Sequence, residues 1–210
     1  AVPSLALVKQ TLEVYLEQSV ANGENVHWLC VCSDEGIGKN DDVALHTQEI
    51  GVPCVTDAKY IAHWITDNQR YRTIIFTTYQ SGQAIATAAK KAKHTFDLCI
   101  MDEAHKTVGA KDKLFSHLLF DKNIAIKKRI FMTATERRYQ GTSDDILSMD
   151  DFAIYGDNFA NMSFKAAVEG GILADYKIIT IMVSDAEIQS LIKENVMVQI
   201  GDWASGRLKN

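Results

Sequence analysis

The 210-residue sequence lacks the features that mark several specialised classes of protein. Its six histidines show no metal-ligand spacing, and none of its four cysteines belongs to a CxxC pair. We therefore expect buried free thiols rather than disulfides or a zinc site. No apolar run approaches the length of a membrane-spanning helix, and no charged leader precedes a long apolar segment at the start. These absences favour a cytoplasmic location without membrane contact.

An excess of positive charge is missing as well. The 22 lysines and arginines are outnumbered by 27 aspartates and glutamates, which gives a net charge of −5 and a pI near 5.7. A generally basic nucleic-acid coat is excluded, so any DNA or RNA contact must come from local basic side chains or backbone NH groups. Two clusters are candidates, although both could be solvated helix or strand ends: Lys90, Lys91 and Lys93, and Lys127, Lys128 and Arg129.

The segment from Phe96 to His105 organises the rest of the chain. A short apolar run, typical of a strand buried on both faces of a parallel sheet, is followed at once by Asp102 and Glu103. This order places both acids at the carboxyl edge of the sheet, where open α/β folds bind ligands. We expect Asp102 to hold Mg²⁺ through its hydration shell and Glu103 to activate water attacking a phosphoryl group. The alternative is an exposed acidic turn.

Two motifs in order carry a family resemblance. Asp102-Glu103-Ala104-His105 resembles the DEAH box, motif II of superfamily-two helicases and translocases, and the segment 129–135 resembles their motif III. His105 and Thr133 are separated by 28 residues, enough for a crossover connection to a neighbouring parallel strand. The resemblance implies a catalytic role for His105 and a role for Thr133, Ala134 and Thr135 in coupling the nucleotide site to the nucleic-acid site.

Two further segments resemble the motifs by which this family holds nucleic acid. Residues 2–10 are similar to motif Ia, in which a strand-to-helix turn, here Pro3 and Ser4, presents NH groups to a phosphate. Without the neighbouring motifs this segment is a capped amphipathic helix. Residues 77–81 are similar to motif Ib, whose hydroxyls, amide and aromatic face touch the backbone or bases: Thr77, Thr78, Tyr79, Gln80 and Ser81. Their alternative is a polar strand exit.

The loop from Ser33 to Asn40 imitates a phosphate-binding loop. Gly38-Lys39 follows a strand, but Ser33 stands where the pattern requires Gly, and Asn40 stands where it requires Ser or Thr. Nearby carboxylates would also repel a triphosphate. We expect this loop not to cradle a nucleotide; the opposite hypothesis is a self-sufficient small NTPase that depends on Lys39.

The order of strands and helices predicts an α/β fold with a doubly wound, mostly parallel sheet. Strands are expected at 26–32, 52–55, 73–78, 96–101, 128–133 and 176–183, and helices begin after Ser4, after Thr56 or Asp57, at Gln83, near Leu114, at Met162 and after Ser184. Residues 136–161 are expected to form a long connector. The resemblance implies that residues 1–160 are part of a first RecA-like motor domain and that 161–210 begin a second.

The functional expectation follows from these motifs together. The chain resembles an interior piece of an ATP-dependent DNA helicase or translocase, with ATP and Mg²⁺ as cofactors and DNA favoured over RNA, within a restriction or phage-defence enzyme. Motif I is expected upstream and motifs IV to VI downstream on the same polypeptide, so this piece alone is expected to be inactive. The alternative is a non-catalytic nucleic-acid-binding or assembly module derived from a helicase domain.

Overall fold

The computed structural model describes residues 1–33, 51, 53–110, 114–139 and 145–177. The chain divides into two units, residues 1–157 and 158–210. In the first unit the strands are β1 (Val26–Val31), β2 (Arg72–Thr77), β3 (Phe96–Met101), β4 (Gly109–Ala110), β5 (Ile126–Phe131) and β6 (Ile146–Leu147). Its α-helices are α1 (Leu5–Ala21), α2 (Ala58–Asp67), α3 (Gly82–Ala92) and α4 (Phe152–Tyr155), and the second unit contains α5 (Phe164–Glu169). Short 3₁₀ helices of the described residues span Tyr79–Ser81, Ala104–Thr107 and Leu114–Leu119.

The predicted parallel pairing is present in both main strand pairs. β1 runs parallel to β2 in the register Val26 to Arg72, and β3 runs parallel to β5 in the register Phe96 to Ile126. β4 and β6 form a separate two-residue antiparallel pair. Because β3 and β5 are parallel neighbours, the residues that follow them meet at one edge of the sheet.

Ala1 and Val2 lie between the two parallel pairs. The amino group of Ala1 donates to the carbonyl of Ile100 at 2.7 Å, and the Ala1 carbonyl accepts from the NH of Asp102 at 3.0 Å. On the other side, Val2 exchanges two 3.0 Å backbone hydrogen bonds with Thr77 and Tyr79. This alternation is that of a strand flanked by parallel neighbours, so β2 and β3 are held on either side of residues 1–2.

Helices α1 and α2 begin where the sequence predicts a cap, whereas Ser81 before α3 makes no side-chain cap hydrogen bond. The Ser4 hydroxyl accepts from the NH of Leu7 at the start of α1, and the Asp57 carboxylate, rather than Thr56, accepts from the NH of Tyr60 at 2.7 Å at the start of α2. Both caps satisfy a backbone NH that has no partner inside its helix. α3 ends at Lys93, whose left-handed backbone (φ 49°) closes the last turn.

Two buried clusters pack against the strands. One joins the apolar face of α1 to alternate residues of β1 and β2: Val2, Leu5, Val8, Leu12, Cys30, Cys32 and Phe76. The larger cluster joins α2 and α3 to the remaining strand residues and includes Leu29, Val31, Ile61, Ile85, Met101 and Leu118. Since Leu29 and Cys30 point to opposite faces of β1, the two clusters bury both faces of that strand.

Several expectations change in detail. β3 is not buried evenly on both faces: Met101 is fully buried but Leu98 is 46% exposed, because the described residues pack more completely against one face. The element near Leu114 is a 3₁₀ helix rather than an α-helix. The supposed connector contains β6 and α4, and its Tyr155 is buried in the larger cluster.

Other expectations fall on residues that the structure does not describe. They are most of the loop Ser33–Asn40, the later part of the strand expected at 176–183, and the helix expected after Ser184. Among the described residues, none of the helices is long and apolar enough to cross a membrane.

Candidate functional site

The acid pair lies at the carboxyl edge of β3. Asp102 directly follows the last residue of the strand, and its Oδ1 accepts from the NH of Glu103 at 2.9 Å. The neighbouring strand is tied to the same turn, because Ala104 donates from its backbone NH to the carbonyl of Met132 at 2.9 Å. The two carboxylates therefore stand on a turn that both strands hold, as the apolar run and its acids predicted.

Glu103 has an unusual backbone conformation. Its φ of 52° and ψ of 42° lie in the left-handed region, which costs a residue with a Cβ atom about 1–2 kcal/mol. Such strain persists only where the surroundings over-determine it, and it is concentrated at functional sites. The Glu103 side chain is 38% exposed and so remains accessible to solvent at this edge.

His105 joins the acid pair to the end of β5. Its Nδ1 lies 2.9 Å from Thr133 Oγ1, 3.2 Å from Glu103 Oε2 and 3.4 Å from Thr135 Oγ1. The Thr133 hydroxyl donates to the carbonyl of Thr135 at 3.2 Å, so its proton is already used. This network assigns a proton to Nδ1, which donates toward Thr133 and the Glu103 carboxylate. The structure thus brings DEAH-like and motif III-like residues into direct contact.

The donor set fits a cation that keeps most of its water. Among the described residues no group of three histidine, cysteine or acidic side chains could hold a metal ion. Asp102 instead supplies a half-buried carboxylate, and Mg²⁺ in phosphoryl-transfer sites uses one or two carboxylates together with waters and substrate phosphates. Asp102 therefore fits Mg²⁺ that arrives with a nucleotide.

The two segments predicted to hold nucleic acid differ in accessibility. Pro3 and Ser4 are partly exposed at the N-terminus of the 17-residue α1, where backbone NH groups and the helix dipole favour an anion. In the second segment Thr77, Thr78, Tyr79 and Ser81 are all buried. Their hydroxyls bond within the protein: Thr77 Oγ1 donates to the carbonyl of Val31 at 2.8 Å, and Thr78 Oγ1 donates to Ser81 Oγ at 3.2 Å.

The expected role of the Tyr79 ring needs correction. The ring is fully buried and lies 5.5 Å from that of Phe115, because the 3₁₀ turn at Tyr79–Ser81 directs it into the larger cluster. It therefore has no exposed face on which a base could stack. The Tyr79 hydroxyl instead donates to the carbonyl oxygen of Asp102 at 2.7 Å.

A polar cavity beside this segment contains residues that the motif analysis missed. The cavity is about 370 Å³ and is lined by Ser33, Thr56, Ala58, Gln80, Ser81, Gln83, Ala84 and Thr87. The amide oxygen of Gln80 is buried and has no hydrogen-bond partner among the described residues. Ser33 and Thr56 each lie shortly after a strand segment. Because open α/β sheets bind ligands beyond the carboxyl ends of their strands, this position could have identified both residues as candidate binding residues.

Two members of the second basic cluster have acidic partners. The Arg129 guanidinium donates to Asp121 at 2.8 Å and to the carbonyl of Leu118 at 2.9 Å, and its side chain is only 12% exposed. Lys127 pairs with Asp97 at 2.6 Å. Arg129 therefore stabilises the loop before β5 and is poorly placed to bind a phosphate.

Comparisons with known proteins find one matching family model and similar solved structures. The family model described as "Type III restriction enzyme, res subunit" matches residues 1–138. The solved structure of the ATP-dependent Type ISP restriction-modification enzyme LlaBIII bound to DNA is 30% identical, with a TM-score of 0.68 over 93% of this chain and 13% of that chain.

A second solved structure is a nuclease-deletion mutant of the Type ISP restriction-modification enzyme LlaGI, in complex with a DNA substrate mimic. It is 31% identical, with a TM-score of 0.62 over 84% of this chain and 14% of that chain. The present chain therefore spans only about an eighth of the length of these two enzymes. No curated protein matches it.

Proposed function

Because the chain belongs to the family of type III restriction enzyme res subunits, a superfamily-two helicase-like family, we propose that it forms part of a DNA helicase or translocase motor driven by ATP hydrolysis. The observation that carries this proposal is the contact of His105 with both Glu103 and Thr133. An exposed acidic turn, the alternative from the sequence, would not require a buried histidine between the acids and the next strand.

The acid pair has two separate tasks in this proposal. Asp102 would hold Mg²⁺ through the ion's water shell, and the ion would supply positive charge beside the phosphates of ATP. Glu103 accepts a proton from the attacking water. The Nδ1 proton of His105 faces this carboxylate at 3.2 Å and helps to fix its orientation.

Thr133 and Thr135 are proposed to couple hydrolysis to DNA. Both hydroxyls lie within 3.4 Å of His105 Nδ1, so a change in the Glu103 carboxylate reaches the end of β5 through one side chain. Pro3 and Ser4 hold a DNA phosphate at the start of α1, and Gln80 and Ser81 contact DNA from the polar cavity. LlaBIII was solved bound to DNA and LlaGI in complex with a DNA substrate mimic, which supports DNA as the partner.

The remaining parts of the motor are assigned to the rest of the polypeptide. We place residues 1–160 in a first RecA-like motor domain with a doubly wound sheet, supported by the parallel pairs and by the burial of both faces of β1. Residues 161–210 begin a second motor domain. We propose that a glycine-rich phosphate loop elsewhere on the polypeptide completes the ATP site, in line with the small share of the similar enzymes that this chain covers.

The test measures ATP hydrolysis by the full-length protein with Mg²⁺, with and without duplex DNA. We expect DNA-stimulated hydrolysis, and we expect Glu103→Gln to lower kcat by about 10³-fold while ATP binding persists, because only the proton acceptor is lost. Glu17→Gln is the matched control, since Glu17 is an exposed glutamate on α1.

Two results would contradict the proposal. If the wild-type protein binds DNA but does not hydrolyse ATP, the non-catalytic binding module is correct. If Glu103→Gln and Glu17→Gln hydrolyse ATP equally well, Glu103 is not the proton acceptor and the catalytic base lies elsewhere.

A further inference from the structure

Tyr79 connects the segment predicted to contact DNA with the acid pair. It begins the 3₁₀ turn after β2, and its hydroxyl spans 23 sequence positions to reach the carbonyl oxygen of Asp102 at 2.7 Å. A carbonyl oxygen only accepts, so the phenol is the donor. The Tyr79 side chain thus runs from the turn Tyr79–Ser81, which borders the polar cavity, to the backbone at Asp102.

This hydrogen bond acts on the peptide group between Asp102 and Glu103. The oxygen of that peptide is held by Tyr79, and its NH is held at 2.9 Å by Asp102 Oδ1. With both ends bonded, the peptide plane cannot rotate freely, and the orientation of this plane sets the φ angle of Glu103. Tyr79 therefore helps to hold the left-handed conformation in which Glu103 is found.

The environment keeps the phenol in place as a donor. The ring is fully buried and packs against Phe115, and burial raises the pKa of Tyr79 far above its usual range. The backbone at Tyr79 is fixed as well, since its NH donates to the carbonyl of Val2 at 3.0 Å. A displacement of this turn must therefore move the phenol, and with it the carbonyl of Asp102.

We propose that Tyr79 is a positioning residue that transmits DNA binding at the Gln80 and Ser81 turn to the orientation of Glu103. DNA in the polar cavity contacts Gln80 and Ser81, which directly follow Tyr79. A shift of this turn moves the Tyr79 phenol, and the phenol moves the peptide group between Asp102 and Glu103. This inference rests on the proposed ATPase function. It assigns to Tyr79 a contact with the acid pair in place of the expected stacking on a base.

The experiment compares two tyrosine variants in the full-length protein. Tyr79→Phe removes the hydroxyl and keeps the packed ring. Tyr155→Phe is the matched control, because Tyr155 is also buried and its hydroxyl bonds the same turn, at Thr107 Oγ1 2.8 Å away, but from α4 rather than from the cavity. For each variant, kcat and KM for ATP are measured with and without duplex DNA.

We expect Tyr79→Phe to lower the ratio of DNA-stimulated to basal kcat by about five- to tenfold, because one buried hydrogen bond is lost. The KM for ATP should change by less than about twofold. Tyr155→Phe should change this ratio by less than about twofold. Phe115→Leu provides a second route, since it loosens the Tyr79 ring without removing the hydroxyl, and it should lower the ratio in the same direction.

The outcomes separate this inference from the proposed function. A wild-type ratio in Tyr79→Phe, or an equal fall in both tyrosine variants, would overturn the role of Tyr79 while leaving the ATPase intact. A larger KM with an unchanged ratio would mean that Tyr79 supports nucleotide binding only, and would also overturn it. Absence of ATP hydrolysis in the wild-type protein would instead refute the proposed function itself.

Discussion

The hydrogen bond between Thr107 and Tyr155 allows a quantitative test of how the turn at residues 102–107, which carries the acid pair, is held. Thr107 Oγ1 donates to the carbonyl of Ala104 at 2.7 Å, and this uses its one proton. The 2.8 Å contact with the Tyr155 hydroxyl must then have Tyr155 as the donor. Thr107 is 0% exposed and Tyr155 8% exposed, so water cannot replace either bond.

The direction of donation predicts unequal effects for the two partners. Tyr155→Phe removes a donor and leaves only one accepting lone pair of Thr107 unfilled, so it should cost about 1 kcal/mol. Thr107→Val keeps the shape, removes the side-chain bond to the Ala104 carbonyl and leaves the buried Tyr155 hydroxyl without its acceptor. At about 1 kcal/mol for the lost bond and about 1–3 kcal/mol for the unpaired hydroxyl, it should cost about 2–4 kcal/mol.

The double variant isolates the coupling between the two groups. In Thr107→Val the Tyr155 hydroxyl is already unpaired, so adding Tyr155→Phe should restore about 1 kcal/mol rather than cost more. The free energy of unfolding is obtained from urea titrations followed by circular dichroism. Thr66→Val is the control, because the Thr66 hydroxyl makes a similar 2.9 Å bond to the carbonyl of Ala62, but on the exposed side of α2.

Two results would refute this reasoning. If Tyr155→Phe costs more than Thr107→Val, the proton assignment is reversed. If the effects of the two substitutions add to within about 0.5 kcal/mol, the two hydroxyls are not coupled. If Thr66→Val lowers the free energy of unfolding as much as Thr107→Val does, burial does not decide how much stability the lost hydrogen bond costs.

Three further predictions concern other parts of the chain. Gly82→Ala should cost about 1–3 kcal/mol in urea unfolding, because the new Cβ would lie 2.8 Å from Cγ of Leu118, and Leu118→Ala should relieve part of that cost. The hydrogen bond from the Tyr60 NH lowers the pKa of Asp57 in the folded protein. The stability that ionised Asp57 contributes is therefore complete above the carboxyl pKa of the unfolded chain and is lost as the pH falls through the folded pKa. Asp57→Asn should reduce this loss of stability in acid, measured as urea unfolding midpoints from about pH 5 to 2. Burial, with a smaller contribution from Cys54, raises the pKa of Cys30 to about 12. Mass spectrometry should therefore find Cys30 the slowest of the four thiols to react with iodoacetamide near pH 8. If Cys30 reacts as fast as the other thiols in the folded protein, its burial is contradicted.

Much of the sheet edge was predictable because its signals are local. The apolar run of β3 ends where the acids begin, and the spacing to Thr133 allows one return to a parallel neighbour. The resulting contact, 2.9 Å between His105 Nδ1 and Thr133 Oγ1, needs only that adjacency. The caps at Ser4 and Asp57 were likewise readable from short patterns.

The contacts that hold the turn at residues 102–107 were not predictable in the same way. The direction of the Tyr79 ring depends on a 3₁₀ turn and on Phe115, which lies 36 positions further along the chain. Tyr155 lies 48 positions from Thr107, in a segment whose composition indicates a connector. A residue's own neighbours carry no information about a partner at that distance, so side-chain orientation was assigned wrongly at Tyr79 and missed at Tyr155.

These distant contacts explain how the strained residue can exist. The left-handed backbone of Glu103 costs about 1–2 kcal/mol, and a free turn would relax. Here Tyr79 holds the peptide before Glu103, and the Met132 carbonyl holds the NH of Ala104 directly after it. The bond from Tyr155 closes the turn at Thr107. Since these three partners come from different segments, the loss of the Tyr79 bond leaves the turn formed but less constrained next to Glu103, and the orientation of the Glu103 carboxylate should be lost before the fold is.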